Sequence, residues 1–240
     1  MSRQNIRYLQ NDTLDEGRLQ INVETPSGRL PIENAEVAIS YTGEPESTIE
    51  EVSTNSSGQT EQIELRTPPL EYSMEPSEQQ PYAEYTIQVT AKGFVPVNVS
   101  GIQVLPGETA IQRVRLVPEE SDINPINNIV IPANTLFGNF PPKIPEDEIK
   151  PLEETGEIVL SRVVVPEYII VHDGAPSDST ARDYYVTYKD YIKNVASSEI
   201  YATWPDATLR ANILAILSFT LNRVYTEWYR NHRIFRSFVH

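Results

Sequence analysis

Cysteine is absent from the 240 residues, so neither disulfides nor thiolate metal sites are open to this chain. Histidine is scarce: His172, His232 and His240 show none of the spacing of a zinc site, and no metal or other cofactor is expected. Long apolar runs are also missing. The start, Met1-Ser2-Arg3-Gln4-Asn5-Ile6-Arg7, lacks the apolar stretch of a secretory signal. No segment reaches the roughly 20 apolar residues that span a bilayer. The expectation is a soluble chain made in the cytoplasm, with no membrane span. Glycine numbers 10 against 19 prolines, which favours extended connections and strand edges.

Basic charge is short as well. The 19 Lys and Arg face 34 Asp and Glu, for a formal charge of −15. Residues 1–120 carry 8 basic and 19 acidic groups, 121–180 carry 3 and 10, and 181–240 carry 8 and 5. An acidic front half repels phosphate backbones, which argues against a nucleic-acid partner. The slightly basic end suits an anionic polymer better. Hydrophobic residues at 39% leave enough apolar surface for a packed core.

Residues 17–118 read as strands and turns. Arg18-Leu19-Gln20-Ile21-Asn22-Val23 and Ala35-Glu36-Val37-Ala38-Ile39 alternate polar and apolar, the mark of half-buried strands. Ser56-Ser57-Gly58-Gln59-Thr60 is a turn leading into Gln62-Ile63-Glu64-Leu65. Tyr82 to Thr90 places Tyr85, Ile87 and Val89 on one face. Lys92-Gly93 turns into one more strand, where Pro96 marks an edge, and Pro106-Gly107 into another that carries Ile111, Val114 and Leu116. Short strands at regular spacing, with no helical stretch, predict a β-sandwich.

Residues 119–166 are rich in Pro, Asn and Glu, as in Phe140-Pro141-Pro142-Lys143-Ile144-Pro145. They read as an extended acidic linker. The alternative is a processing segment, because exposed extended chain suits an activating protease.

Towards residue 167 the pattern changes. Val163-Val164-Val165 and Tyr168-Ile169-Ile170-Val171 read as short strands. Thr187 then caps a helix with Tyr188, Ile192, Val195 and Glu199 along one stripe. Thr203-Trp204-Pro205-Asp206 opens a second helix carrying Leu209, Ile213, Ile216, Leu217, Thr220, Val224 and Trp228. That helix is apolar enough to need a partner, so self-association is expected.

Glu199 is the residue that could carry chemistry. A carboxyl on an apolar stripe near a helix C-terminus is favoured as the neutral acid, by desolvation and by the helix dipole. A neutral acid can protonate the leaving oxygen of a glycosidic bond. The alternative is a side chain whose tip simply reaches water. Ser197-Ser198 has no His and Asp partners in the pattern of a nucleophilic site and is discounted.

Three motifs of the first region resemble carboxypeptidase-regulatory-like, transthyretin-type sandwiches. They are Gly28 to Val37 ("G-x-P-x-x-x-A-x-V"), Thr54 to Thr60 ("T-D/N-x-x-G") and Ala91-Lys92-Gly93-Phe94 ("A-x-G-Y/F"). In the last region, Tyr191 to Ile200, Trp204-Pro205 and Leu209 to Ala215 resemble the stage II sporulation protein D pattern. Ile131 to Gly138, Pro141 to Pro145, Pro166 to Gly174 and Ser218 to Tyr229 are similar to the spore cortex-lytic enzyme group, which joins a β-domain to such a module.

The resemblance implies a transthyretin-like sandwich (17–118) after a tail (1–16), then the Pro-rich linker (119–166) and a mainly α-helical partial domain (167–240). It implies a lytic transglycosylase of spore cortex peptidoglycan acting in germination. Glu199 would be its single acid-base group, and Tyr201, Trp204 and Arg210 its glycan contacts. By their residue types alone, Trp204 reads sooner as a core residue or a helix staple, and Arg210 sooner as part of a solvated face. Residues 231–240 do not match the family's continuation, so a truncated module is expected. The family can hold zinc with Cys and His, and this chain has no Cys. The competing expectation is a peptidoglycan- or coat-binding protein that does not cut, or an inactive remnant.

Overall fold

The computed structural model describes residues 14–75, 78–134, 136, 164–174, 178–225 and 236–238. The chain forms two compact units, residues 1–138 and 139–240, and each is treated by itself.

The first unit is a β-sandwich. Its smaller sheet contains β1 (Asp15–Glu24), β4 (Ile63–Thr67) and β7 (Thr109–Arg115) in the order β4-β1-β7. β1 runs antiparallel to β4 and parallel to β7. Its larger sheet contains β2 (Glu36–Tyr41), β3 (Thr48–Ser53), β5 (Ala83–Thr90), β6 (Val97–Val104) and β8 (Asn128–Val130), ordered β3-β2-β5-β6-β8.

The alternation legible in the sequence builds the interior. Leu19, Ile21 and Val23 from β1 meet Val37, Ile39, Tyr85, Ile87, Val89, Val97 and Val99 from the other sheet in one buried cluster. Each such aliphatic side chain contributes about 1.5–3 kcal/mol by leaving water.

The turn at residues 54–60 closes this core. The Asn55 carboxamide oxygen accepts from the Ser57 and Gln59 amides, and Gly58 adopts φ +70°. A Cβ on Gly58 would lie 2.4 Å from the Val23 carbonyl oxygen, so glycine is required twice over, by backbone sign and by space. Thr54, fully buried, donates its hydroxyl to the Ile32 carbonyl at 2.7 Å and accepts the Ala35 amide at 2.9 Å.

In β7 the period puts Val114 inside and turns Ile111 outward with Arg113 and Arg115. Several expectations change here. Pro96 precedes β6 instead of interrupting it, and β6 is an interior strand because β8 covers its far side. One helical turn, α1 (Glu71–Met74), interrupts the strands. β3, Thr-Ile-Glu-Glu-Val-Ser, is exposed along nearly its whole length and carries no polar–apolar alternation to mark it as a strand. β8 lies inside the stretch expected to be linker, so the sandwich's hydrogen bonding reaches beyond residue 118. Residues 137–163, which contain most of the expected linker, lie outside the described residues.

The second unit combines β9 (Tyr168–His172), β10 (Asp183–Thr187) and β11 (Arg236–Phe238), ordered β10-β9-β11, with α2 (Tyr188–Glu199) and α3 (Asp206–Tyr225). Ile169, Val171, Tyr188 and Ile192 form its buried centre, flanked by Ile213, Ile216, Leu217, Leu221 and Val224 of α3. Val164 and Val165 are exposed and precede the strand. β10 was not anticipated. Trp228 lies outside the described residues.

Candidate functional site

The residues singled out in the sequence gather at the α2–α3 junction. Thr187 caps α2: its hydroxyl oxygen accepts the Asp190 amide at 3.1 Å, and its O–H donates to the Asp190 carboxylate at 2.7 Å. That hydroxyl holds the Asp190 carboxyl below the usual range, with Lys193 adding to the effect. Tyr188 anchors the pair of helices by donating its hydroxyl to the Leu217 carbonyl at 3.2 Å.

α2 ends when Ile200 turns extended (φ −143°, ψ 147°) while its N–H still donates to the Ala196 carbonyl. Ile200 and Tyr201 are then buried. The Tyr201 and Trp204 rings meet edge to face, with centroids 6.3 Å apart and planes at 72°. Burial pushes the Tyr201 hydroxyl upward. The Pro205 carbonyl accepts from the amides of Thr208 and Leu209, opening α3.

Glu199 is the last residue of α2 and is exposed. This corrects the expected apolar surroundings. Along the stripe, Tyr188 and Ile192 are buried, Val195 is half-buried and Glu199 lies in solvent. The spacing is right, but the stripe outruns the elements that cover it.

The other expected contacts are brought near Glu199 in sequence and differ in character. Tyr201 is buried, so its ring is a packing element. Trp204 is half-buried. Arg210 is exposed and holds Asp206, one turn earlier, at 2.7 Å. Ser197 and Ser198 both donate to the Asn194 carbonyl, at 2.9 and 3.0 Å.

One pair was missed. His172, at 1% exposure, meets the Asp183 carboxylate through Nδ1 at 2.9 Å. The antiparallel register of β9 and β10 sets these two residues opposite each other. Only a reading of Asp183-Tyr184-Tyr185-Val186-Thr187 as a strand would have exposed the pairing. Asp178, in the loop between these strands, is held below the ordinary carboxyl range chiefly by the Thr180 hydroxyl, with His172 a smaller influence.

On the sandwich, an open depression is lined by Glu36, Glu51, Ser53, Asn55, Glu61 and Gln88 among others, with no basic side chain in its lining among the described residues. Among the described residues no group of three His, Asp or Glu could hold a metal ion. His232 and His240 are outside the described residues. No described helix is long and apolar enough to cross a membrane.

No protein-family model and no curated protein sequence matches the chain. Solved structures match at low similarity. The Bacillus anthracis TIE protein is 16% identical, covers 43% of this chain and 17% of its own, and gives a TM-score of 0.30. The minor pilin GBS52 of Streptococcus agalactiae is 12% identical over 47% of this chain and 48% of its own, with a TM-score of 0.32. The 5-hydroxyisourate hydrolase of Klebsiella pneumoniae is 16% identical over 42% of this chain and 90% of its own, with a TM-score of 0.26. This chain therefore spans less than half the length of the first two. These likenesses carry no statement about activity.

Proposed function

We propose that this chain acts on spore cortex peptidoglycan as part of a lytic transglycosylase, with a transthyretin-type sandwich as its positioning domain. In this reading Glu199 gives a proton to the leaving glycosidic oxygen and then takes one from the sugar's own 6-hydroxyl, which closes an anhydro ring. The observation that supports it is the exposed Glu199 at the end of α2, followed at once by the Tyr201–Trp204 pair. A polymeric substrate can reach a carboxyl so presented, and an adjacent half-buried indole offers an apolar face to a sugar ring. The desolvation that an acid needs would come from the bound glycan, since the described residues leave Glu199 in solvent.

That same exposure favours a second reading. A site without enclosing walls orients its substrate poorly, and the chain would then bind glycan or coat without cutting it.

Purified chain is incubated with spore cortex peptidoglycan, and co-sedimentation and anhydro-muropeptide release are measured for wild type and Glu199→Gln. Release that the substitution abolishes, with binding retained, supports cleavage. Binding without release from either protein supports the second reading. Absence of binding overturns cleavage and glycan binding alike, and the same co-sedimentation with purified spore coat then decides the coat reading.

A further inference from the structure

The stretch following β7 does more than lead away from the sandwich. Asn98 donates its amide to the Asn127 carbonyl at 2.8 Å, and Ile131 donates to the Ser100 carbonyl at 2.9 Å. The Gln103 side-chain amide donates to the Pro132 carbonyl at 3.1 Å. The Asn134 amide donates to the hydroxyl of Tyr82, itself 2% exposed, at 2.9 Å. Between these ends β8 runs parallel to β6, with Ile129 opposite Val99. Ile129 and Ile131 lie against the sandwich core while Val130 is exposed.

The receiving edge is shaped for this segment. β6 carries an extra residue against β5 between the pairs Tyr85↔Ile102 and Ile87↔Val99. In that bulge Gly101 takes φ +81°, and a Cβ there would lie 2.4 Å from the Ile131 carbonyl oxygen. The Gly101 amide donates to the Thr42 hydroxyl at 3.2 Å, which holds the bulge from the turn that follows β2. A bulge, a side-chain-free approach, two apolar seats and a buried phenol at the exit make a strand-addition site.

We propose that the β6 edge is a sequence-selective strand-acceptor site, whose occupant is the chain's own segment 127–134, and that the segment docks there as a separable clasp. The site recognises an extended run with apolar residues two apart followed by proline, here Ile129-Val130-Ile131-Pro132. The proline fits because its position needs only a carbonyl, taken up by Gln103. The clasp then sets where the connecting chain leaves the sandwich. This inference is independent of the glycan reading.

The test uses the full chain with Ile129→Asp and Ile131→Pro together, which remove both isoleucine side chains and the Ile131 donor. A labelled peptide, Asn-Asn-Ile-Val-Ile-Pro-Ala-Asn, is added to variant and wild type and followed by fluorescence anisotropy. The variant is expected to bind at least ~10-fold more tightly than wild type, whose site is filled. Equal binding by both, or no binding to a variant whose Val37 and Ile87 amides remain protected from exchange, overturns the proposal. Should the variant lose that protection, hydrogen exchange on wild type decides. An Ile131 amide slowed ~100-fold supports the clasp, and exchange at the free-peptide rate refutes it.

Discussion

Replacing Thr54 by Val keeps the shape of a fully buried side chain and deletes its hydroxyl. In the sandwich that hydroxyl donates to Ile32 and accepts from Ala35, at 2.7 and 2.9 Å. Both backbone groups would be left unsatisfied away from water, each at a cost of about 1–3 kcal/mol. A total near ~3 kcal/mol follows, a large share of the ~5–15 kcal/mol that holds a domain folded. Thr54→Ser keeps the hydroxyl, loses one methyl and should cost only ~1 kcal/mol. Urea unfolding separates the two. With a slope of about 2 kcal/mol per molar, Thr54→Val lowers the midpoint by about 1.5 M and Thr54→Ser by about 0.5 M. The chain supplies its own control, because both tryptophans, Trp204 and Trp228, lie beyond the first unit. Circular dichroism of the strands should shift while tryptophan emission does not. Equal midpoints for the Val and Ser variants would refute the argument that the hydroxyl, and not the packing, closes this turn.

Two further outcomes follow from buried polar groups. Burial, chiefly, and the neighbouring Tyr41 push the Tyr85 hydroxyl far above its ordinary range, and it donates to the Arg66 carbonyl at 2.6 Å. The folded chain thus holds this proton more tightly than the unfolded one. Its contribution is complete below about pH 10 and is lost as pH rises beyond that. Between pH 9 and 11.5 the urea midpoint of the sandwich should fall more steeply in wild type than in Tyr85→Phe; parallel slopes would contradict this. In the second unit, His172→Ala empties a buried site and removes the partner of Asp183, at about 2–4 kcal/mol. The tryptophan-detected transition should move to lower urea with the strand signal of the sandwich unchanged, and an unmoved tryptophan transition would show the pair to be dispensable.

Much of this architecture was legible because its signals are local. The alternation in β1, β2 and β5 places Leu19, Ile21, Val23, Val37, Ile39, Tyr85, Ile87 and Val89 inside, and period alone assigns those faces. The glycine turn at residue 58 and the threonine cap at residue 187 each depend on a few consecutive residues. Among the site residues, Arg210 was readable as a solvated side chain, and its ion pair with Asp206 is the ordinary one-turn spacing.

What the amino-acid order determined by itself was which residues share a face: two apolar faces for a sandwich, and a stripe from Tyr188 to Glu199 on a helix. What only the tertiary structure decided was how far each face is covered. Glu199 keeps its place on the stripe and still ends in solvent, and Ile111 belongs to a strand whose odd-numbered side looks outward. The exposed β3, the proline-neighboured β8 and the His172–Asp183 contact arise from pairings with strands elsewhere in the chain. The physical reason is that periodicity is a property of one segment, whereas burial and strand pairing belong to two segments at once.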